Sequence, residues 1–133
     1  MTGWVGDIEE ATIANPTFRT VLFTGSNIQL TTMSLRPGDE IGLEMHDDVD
    51  QFIRIEQGEA RVTFGPSQDE ITETHEISDD WAVIIPAGTW HNVINAGSSD
   101  LKLYSLYSPP EHRDGTVHRT KADADAAQAH HHG

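Results

Sequence analysis

The sequence predicts an all-β sandwich or barrel on three observations. Turn signals recur at short intervals, the segments between them are short and rich in β-branched, aromatic and aliphatic residues, and no segment keeps a helical period over three turns. Asp7 to Ala14 reads equally as a short helix or a strand. Asn15-Pro16 then introduces a strand over Phe18–Phe23, and Thr24-Gly25-Ser26-Asn27 separates it from Ile28–Leu35. Arg36-Pro37-Gly38-Asp39 opens an extended segment to His46, and Gln51–Ile55 follows as the next strand. Gln57-Gly58, Gly65-Pro66-Ser67 and Ser78-Asp79-Asp80 punctuate strands over Ala60–Phe64, Ile71–Ile77 and Trp81–Ile85. Pro86-Ala87-Gly88, Asn95-Ala96-Gly97-Ser98 and Ser108-Pro109-Pro110 bracket His91–Ile94 and Leu101–Tyr107. From Thr120 onward the chain has no apolar face. Residues 1–120 therefore read as one domain and residues 121–133 as a disordered tail. The terminal His130-His131-His132 matches a purification remnant and is kept out of the candidate site.

Composition narrows the function. A chain of 133 residues is one domain's worth, and it can bury about two-thirds of its unfolded surface without disulfide or metal staples. The absence of cysteine removes disulfides, thiolate metal sites and cysteine nucleophiles together. Met1 to Glu10 lacks a basic stretch followed by an apolar one, and the longest apolar run, Trp81 to Ile85, is too short to span a bilayer. A cytoplasmic protein is expected. Twenty-two acidic against 8 basic residues give a net charge of −14, which repels phosphate backbones and anionic lipid. The expected partner is a small-molecule substrate, with no nucleic acid and no membrane. The acidity is spread along the chain and also serves solubility.

Side chains alternate across a strand, so Gly42, Glu44 and His46 share one face and Ile41, Leu43 and Met45 the other. If Glu44 and His46 face the barrel interior, the three apolar residues face out and need a cover. A dimer partner or a packed N-terminal strand would provide it, and a homodimer is expected. In the next strand Gln51, Ile53 and Ile55 share a face opposite Phe52, Arg54 and Glu56. In the later one His91 and Val93 share a face.

The spacing of these residues carries more than any one of them. Gly38, five residues, Glu44-x-His46, four residues, Gln51, six residues and Gly58 resemble the first motif of the cupin superfamily. That motif runs Gly, five residues, His-x-His, three or four residues, Glu, six residues, Gly. Asp80, five residues, Pro86-x-Gly88-x-x-His91 and Asn95 resemble the second, which starts with Gly. The four-residue match from Pro86 to Asn95 would arise by chance roughly once in a few thousand chains of this length. Gly38 and Gly58 suit turns with positive φ, Pro86 and Gly88 a tight turn, and Asn95 a side-chain cap on the turn after it. The chain departs from the pattern at Glu44, Gln51 and Asp80. The carboxylate has moved rather than vanished, so the formal ligand charge is kept.

The resemblance implies a single-domain cupin barrel (a double-stranded β-helix, or jelly roll) holding one divalent metal through Glu44, His46, Gln51 and His91. Two histidines and a carboxylate suit Fe, Mn or Zn and also accept Ni or Co. Small bacterial cupins similar to this chain, with its Pro109-Pro110-x-His112-x-x-Gly115-Thr116-x-His118 segment, are labelled mannose-6-phosphate-isomerase-like. The implied activities are a sugar or hydroxy-ketone isomerase, a non-haem dioxygenase, or a barrel that only binds metal or ligand. His112 and His118 are candidate general bases, with Arg113 to hold an anion, if their segment folds over the barrel mouth, and Glu44 is a candidate catalytic group. A sugar phosphate would need cations near the site, whereas Arg54 faces away and only Lys102 and Arg61 lie on other barrel strands.

Overall fold

The computed structural model describes residues 2–132, with side chains through residue 128. The undecided segment at the start is a helix, α1 (Ile8–Ala14). Asp7 caps it by accepting the Glu10 N–H at 3.1 Å, and Glu9 and Glu10 place negative charge in the first turn. Strands then follow at the predicted punctuation: β1 (Arg19–Thr24), β2 (Gln29–Leu35), β3 (Asp50–Gln57), β4 (Ala60–Gly65), β5 (Glu73–Ile77), β6 (Ala82–Ile85), β7 (Trp90–Asn95) and β8 (Leu101–Ser108). A two-residue strand, β9 (Val117–His118), which the sequence does not announce, pairs with the start of β1.

Two antiparallel sheets result, ordered β6-β3-β8-β2-β1-β9 and β5-β4-β7. Between them lies the core, with Met33, Leu35, Ile53, Ile55, Leu101 and Leu103 facing Val62, Ile77 and Val93. Strand parity holds where strands are regular: Gln51, Ile53 and Ile55 are all buried, and so are His91 and Val93. Arg54 stays on the outer face, paired with Glu56 and Asp80. Gly38, Gly58 and Asp80 have positive φ, so the aspartate takes the conformation that favours glycine at its motif position. The Asn95 side chain donates to Leu35 O and Ser99 O and accepts from Gly97 N–H.

Parity fails between residues 39 and 47. This segment is no regular strand. It is tied to β7 by the isolated bridges Glu40↔Ile94 and Glu44↔His91, and Gly42 sits between them at φ +109°. That one left-handed residue resets the alternation, so Ile41 is buried in the core while Glu44 and His46 also turn inward. Of the three residues expected to form a bare apolar face, Ile41 is covered by its own barrel and Met45 lines a cavity. Leu43 remains exposed. The case for a partner subunit built on those three residues therefore lapses.

The stretch expected to fray forms α2 (Lys121–His132). Thr120 caps it through Asp123 N–H, Lys121 pairs with Asp125 one turn on, and Ala124 packs into the core. Among its described alanines Ala124 alone is buried, and a single small residue does not register in the sequence as an apolar stripe. The side chains of His130, His131 and His132 lie outside the described residues. Among the described residues, no helix is long and apolar enough to cross a membrane.

Candidate metal centre

Glu44 and His91 face each other across an isolated bridge, with backbone hydrogen bonds in both directions at 2.9 and 3.0 Å. This pairing brings the two motifs into contact. Glu44 Oε1 lies 3.5 Å from His46 Nε2 and 3.6 Å from His91 Nε2. One donor atom from each of the three falls within 4.8 Å of the others. Donors around an ion bound at about 2.0–2.2 Å stand roughly 3–3.5 Å apart, close to this spacing.

The hydrogen bonding of the two imidazoles supports the same reading. His91 Nδ1 lies 2.9 Å from Thr89 O, a carbonyl that can only accept, so Nδ1 donates there and Nε2 is the nitrogen turned toward Glu44. His46 Nδ1 lies 3.3 Å from the Glu111 carboxylate. Both Nε2 atoms are buried without a hydrogen-bond partner, and so is Oε1 of Gln51. Outer acceptors that fix the tautomer and leave Nε2 free are what a metal-ligating histidine requires. Gln51, almost fully buried, pairs across the sheet with Tyr107, whose ring meets His46 edge-on. The residues fit a divalent ion.

Electrostatics bind the three groups together. Burial pushes the Glu44 carboxyl up, but the contacts and charges of His46 and His91 outweigh it and bring it from 4.5 down to about 2. Burial likewise disfavours charge on His46, yet Glu111 and Glu44 together raise it from 6.5 to about 10. The donors therefore sit as an ion pair that an incoming cation must displace.

Both predicted histidines of the last segment reach this place. A cavity of about 560 Å³ is lined by Glu44, Met45, His46, His112 and His118, with Glu111 and Arg19 among its other walls. Gln29 holds the segment there. Its amide is completely buried, accepts from Glu111 N–H and His112 N–H at 3.1 and 2.9 Å, and donates to His112 O at 2.7 Å. His112 packs edge-on against Tyr107, and its Nε2 has no partner. Burial, then the positive charge of Arg19, lowers His112 to about 3 and moves His118 in the same direction.

Sequence reasoning missed Arg19, Glu111 and Gln29. Arg19 corrects the expectation that no cation on the barrel strands stands near the site, and Arg113, the expected anion holder, also lines the cavity. Its parity was a usable signal, because it shares a strand face with the buried Val21. Glu111 and Gln29 gave none, since their meeting depends on how the chain turns after β8.

A family model described as "Cupin domain" matches residues 31–107. The uncharacterized protein YrkC of Bacillus subtilis is 56% identical over 125 residues, covering 94% of this chain and 67% of that protein. An uncharacterized protein of Acanthamoeba polyphaga mimivirus is 42% identical over 115 residues, 86% of this chain and 70% of that protein. A crystal structure from Bacillus halodurans superposes with a TM-score of 0.91 at 51% identity, covering 92% of this chain and 93% of that one.

Proposed function

The chain belongs to the cupin family, and from that premise we propose a metal-dependent enzyme that acts on a small molecule in the cavity beside Glu44. The observation that carries the reading is the convergence of Glu44, His46 and His91, with both Nε2 atoms unpartnered, at a point where Glu44 and His46 line that cavity and His91 lies buried behind them. These three residues would hold the ion, with Gln51 Oε1 as a fourth donor. When bound, a divalent metal supplies Lewis acidity toward a substrate oxygen.

The chain's own residues favour an isomerase of the hydroxy-ketone kind. Moving a proton between neighbouring carbons needs side chains that can take and return it, and His112, His118 and Glu111 line the same wall. His112 stays neutral near pH 7, and its Nε2 has no hydrogen-bond partner. A base held to about 3 is weak, which makes His118 the better proton carrier of the two. A dioxygenase is the second reading, and the set of two histidines and one carboxylate is the feature in its favour.

Elemental analysis tests the proposal on protein freed of its terminal histidines, beside a Glu44→Ala, His46→Ala variant. Close to one metal per chain, lost in the variant, is the expected result. Iron would direct assays to oxygen consumption, whereas zinc or manganese would direct them to isomerisation. No metal after reconstitution would end the catalytic reading and leave a ligand-binding barrel.

A further inference from the structure

The most costly feature of the cavity is Arg19. The residue is 8% exposed, and among the described residues no carboxylate comes within ion-pairing distance of its guanidinium. One N–H group faces His118 Nδ1 at 3.2 Å, Nε has no partner, and the guanidinium stands 5.4 Å from the centroid of the Phe18 ring. Guanidinium is charged at any working pH, and a buried charge without a counter-ion is strongly unfavourable. Elsewhere the chain does not leave arginines in this state: Arg54 and Arg61, both more exposed, are each paired with carboxylates. Acidic groups outnumber basic ones in this chain, so the lack of a partner for Arg19 is a property of the place. The place is the wall of the cavity that also holds Glu44 and His46.

We propose that Arg19 is the anion-holding residue of this cavity and that the substrate is a small organic carboxylate with a second oxygen function. The proposal rests on the metal-site reading for that second oxygen, which would be turned toward Glu44, His46 and His91. The carboxylate itself would be held by Arg19. A singly charged acid fits better than a phosphate monoester. The cavity offers one buried guanidinium, while Glu44 and Glu111 add negative charge to the same walls. Arg113, the other arginine lining it, is exposed to solvent. A planar carboxylate also matches the planar donor array of guanidinium.

The test is calorimetric titration of the full chain with pyruvate, its uncharged methyl ester and methyl phosphate, each with metal stripped by chelator and with zinc restored. Without metal, pyruvate should bind on the order of 10-fold more tightly than methyl pyruvate, as expected for a charge-assisted contact. Arg19→Met should erase that preference while leaving zinc content unchanged. Arg19→Lys should keep part of it, and melting temperatures would show that both variants fold. A preference that survives in Arg19→Met, or no preference in the unaltered chain, would overturn the proposal. Tighter binding of methyl phosphate than of pyruvate would overturn the carboxylate assignment. Loss of zinc binding with the acid preference intact would refute the metal reading and leave Arg19 as the anion site.

Discussion

His91 reaches the ligand cluster from inside a regular strand, whereas Glu44 and His46 reach it from a length of chain tied down by two isolated bridges. The strand position is rigid by construction. β7 pairs residue for residue with β4, and His91 is buried between Phe64 across the ladder and the Glu44 backbone. The other segment bends at Gly42, leaves Leu43 in solvent, and depends on Glu111 and Gln29 to hold His46 in place. One half of the site is part of the core, and the other half is laid against it. Alanine at each histidine should separate the two halves. In the metal-free protein, His91→Ala opens a cavity and leaves Thr89 O unpaired, costing roughly 2 kcal/mol or more. Near pH 10, where the charge on His46 has ceased to contribute, His46→Ala should cost about 1 kcal/mol or less, because water can reach the gap and resolvate Glu44. Urea unfolding measures both, and equal losses would refute the contrast.

The next effect is on affinity. If the looser half relies on outer contacts, Glu111→Gln should lower metal affinity on the order of 10-fold, since it removes the charged acceptor that orients His46. Competition against a chromogenic chelator reads this directly. An unchanged affinity would mean that the 108–118 segment covers the site without supporting it.

Protons should report on the same half. His46 is raised to about 10 in the metal-free protein, so loading a metal must expel its proton. Calorimetry in buffers of different ionisation enthalpy should find about one proton released per ion between pH 7 and 9. An imidazole at its ordinary 6.5 would already be mostly unprotonated there. The sign for stability follows. The raised His46 contributes fully below pH 6.5, and its contribution fades as pH climbs toward 10. The depressed Glu44 contributes fully above pH 4.5 and is lost as pH falls toward 2. In the metal-free chain this pair is therefore most stabilising between 4.5 and 6.5.

These two halves also differ in how legible they are in the sequence. The positions of β3 and β7, and the inward faces carrying Gln51 and His91, follow from punctuation and a period of two. The residue identities of the ligand set follow from motif spacing. Extending the same period through Gly42 turned Ile41 outward and invited a partner subunit that those residues do not call for. Alternation holds only while φ stays extended, and a glycine in the run is the place to expect it to fail. Arg19 was legible by parity with Val21, but a cation on an apolar face reads as an exception until the cavity behind it is seen. Glu111 acts across 65 residues of chain from His46. No local rule reaches that far.

Gly42→Ala is the smallest change and the one aimed most directly at this difference. A Cβ at that position would meet nothing closer than Lys121 Nζ at 3.7 Å, so crowding is not the obstacle. The strain comes from φ +109° alone, a conformation that alanine adopts at a cost of about 1 kcal/mol or somewhat more. The variant can accept the strain and keep Ile41 inside, or relax toward extended backbone and lose the aim of Glu44 and His46. A small drop in stability with unchanged metal affinity is the expected outcome, because Ile41 in the core and the Glu44–His91 bridge hold both ends of the bend. If metal affinity falls while His91 stays buried, the bend is what sets the angle between the two halves, and Gly42 belongs to the site as much as its ligands do.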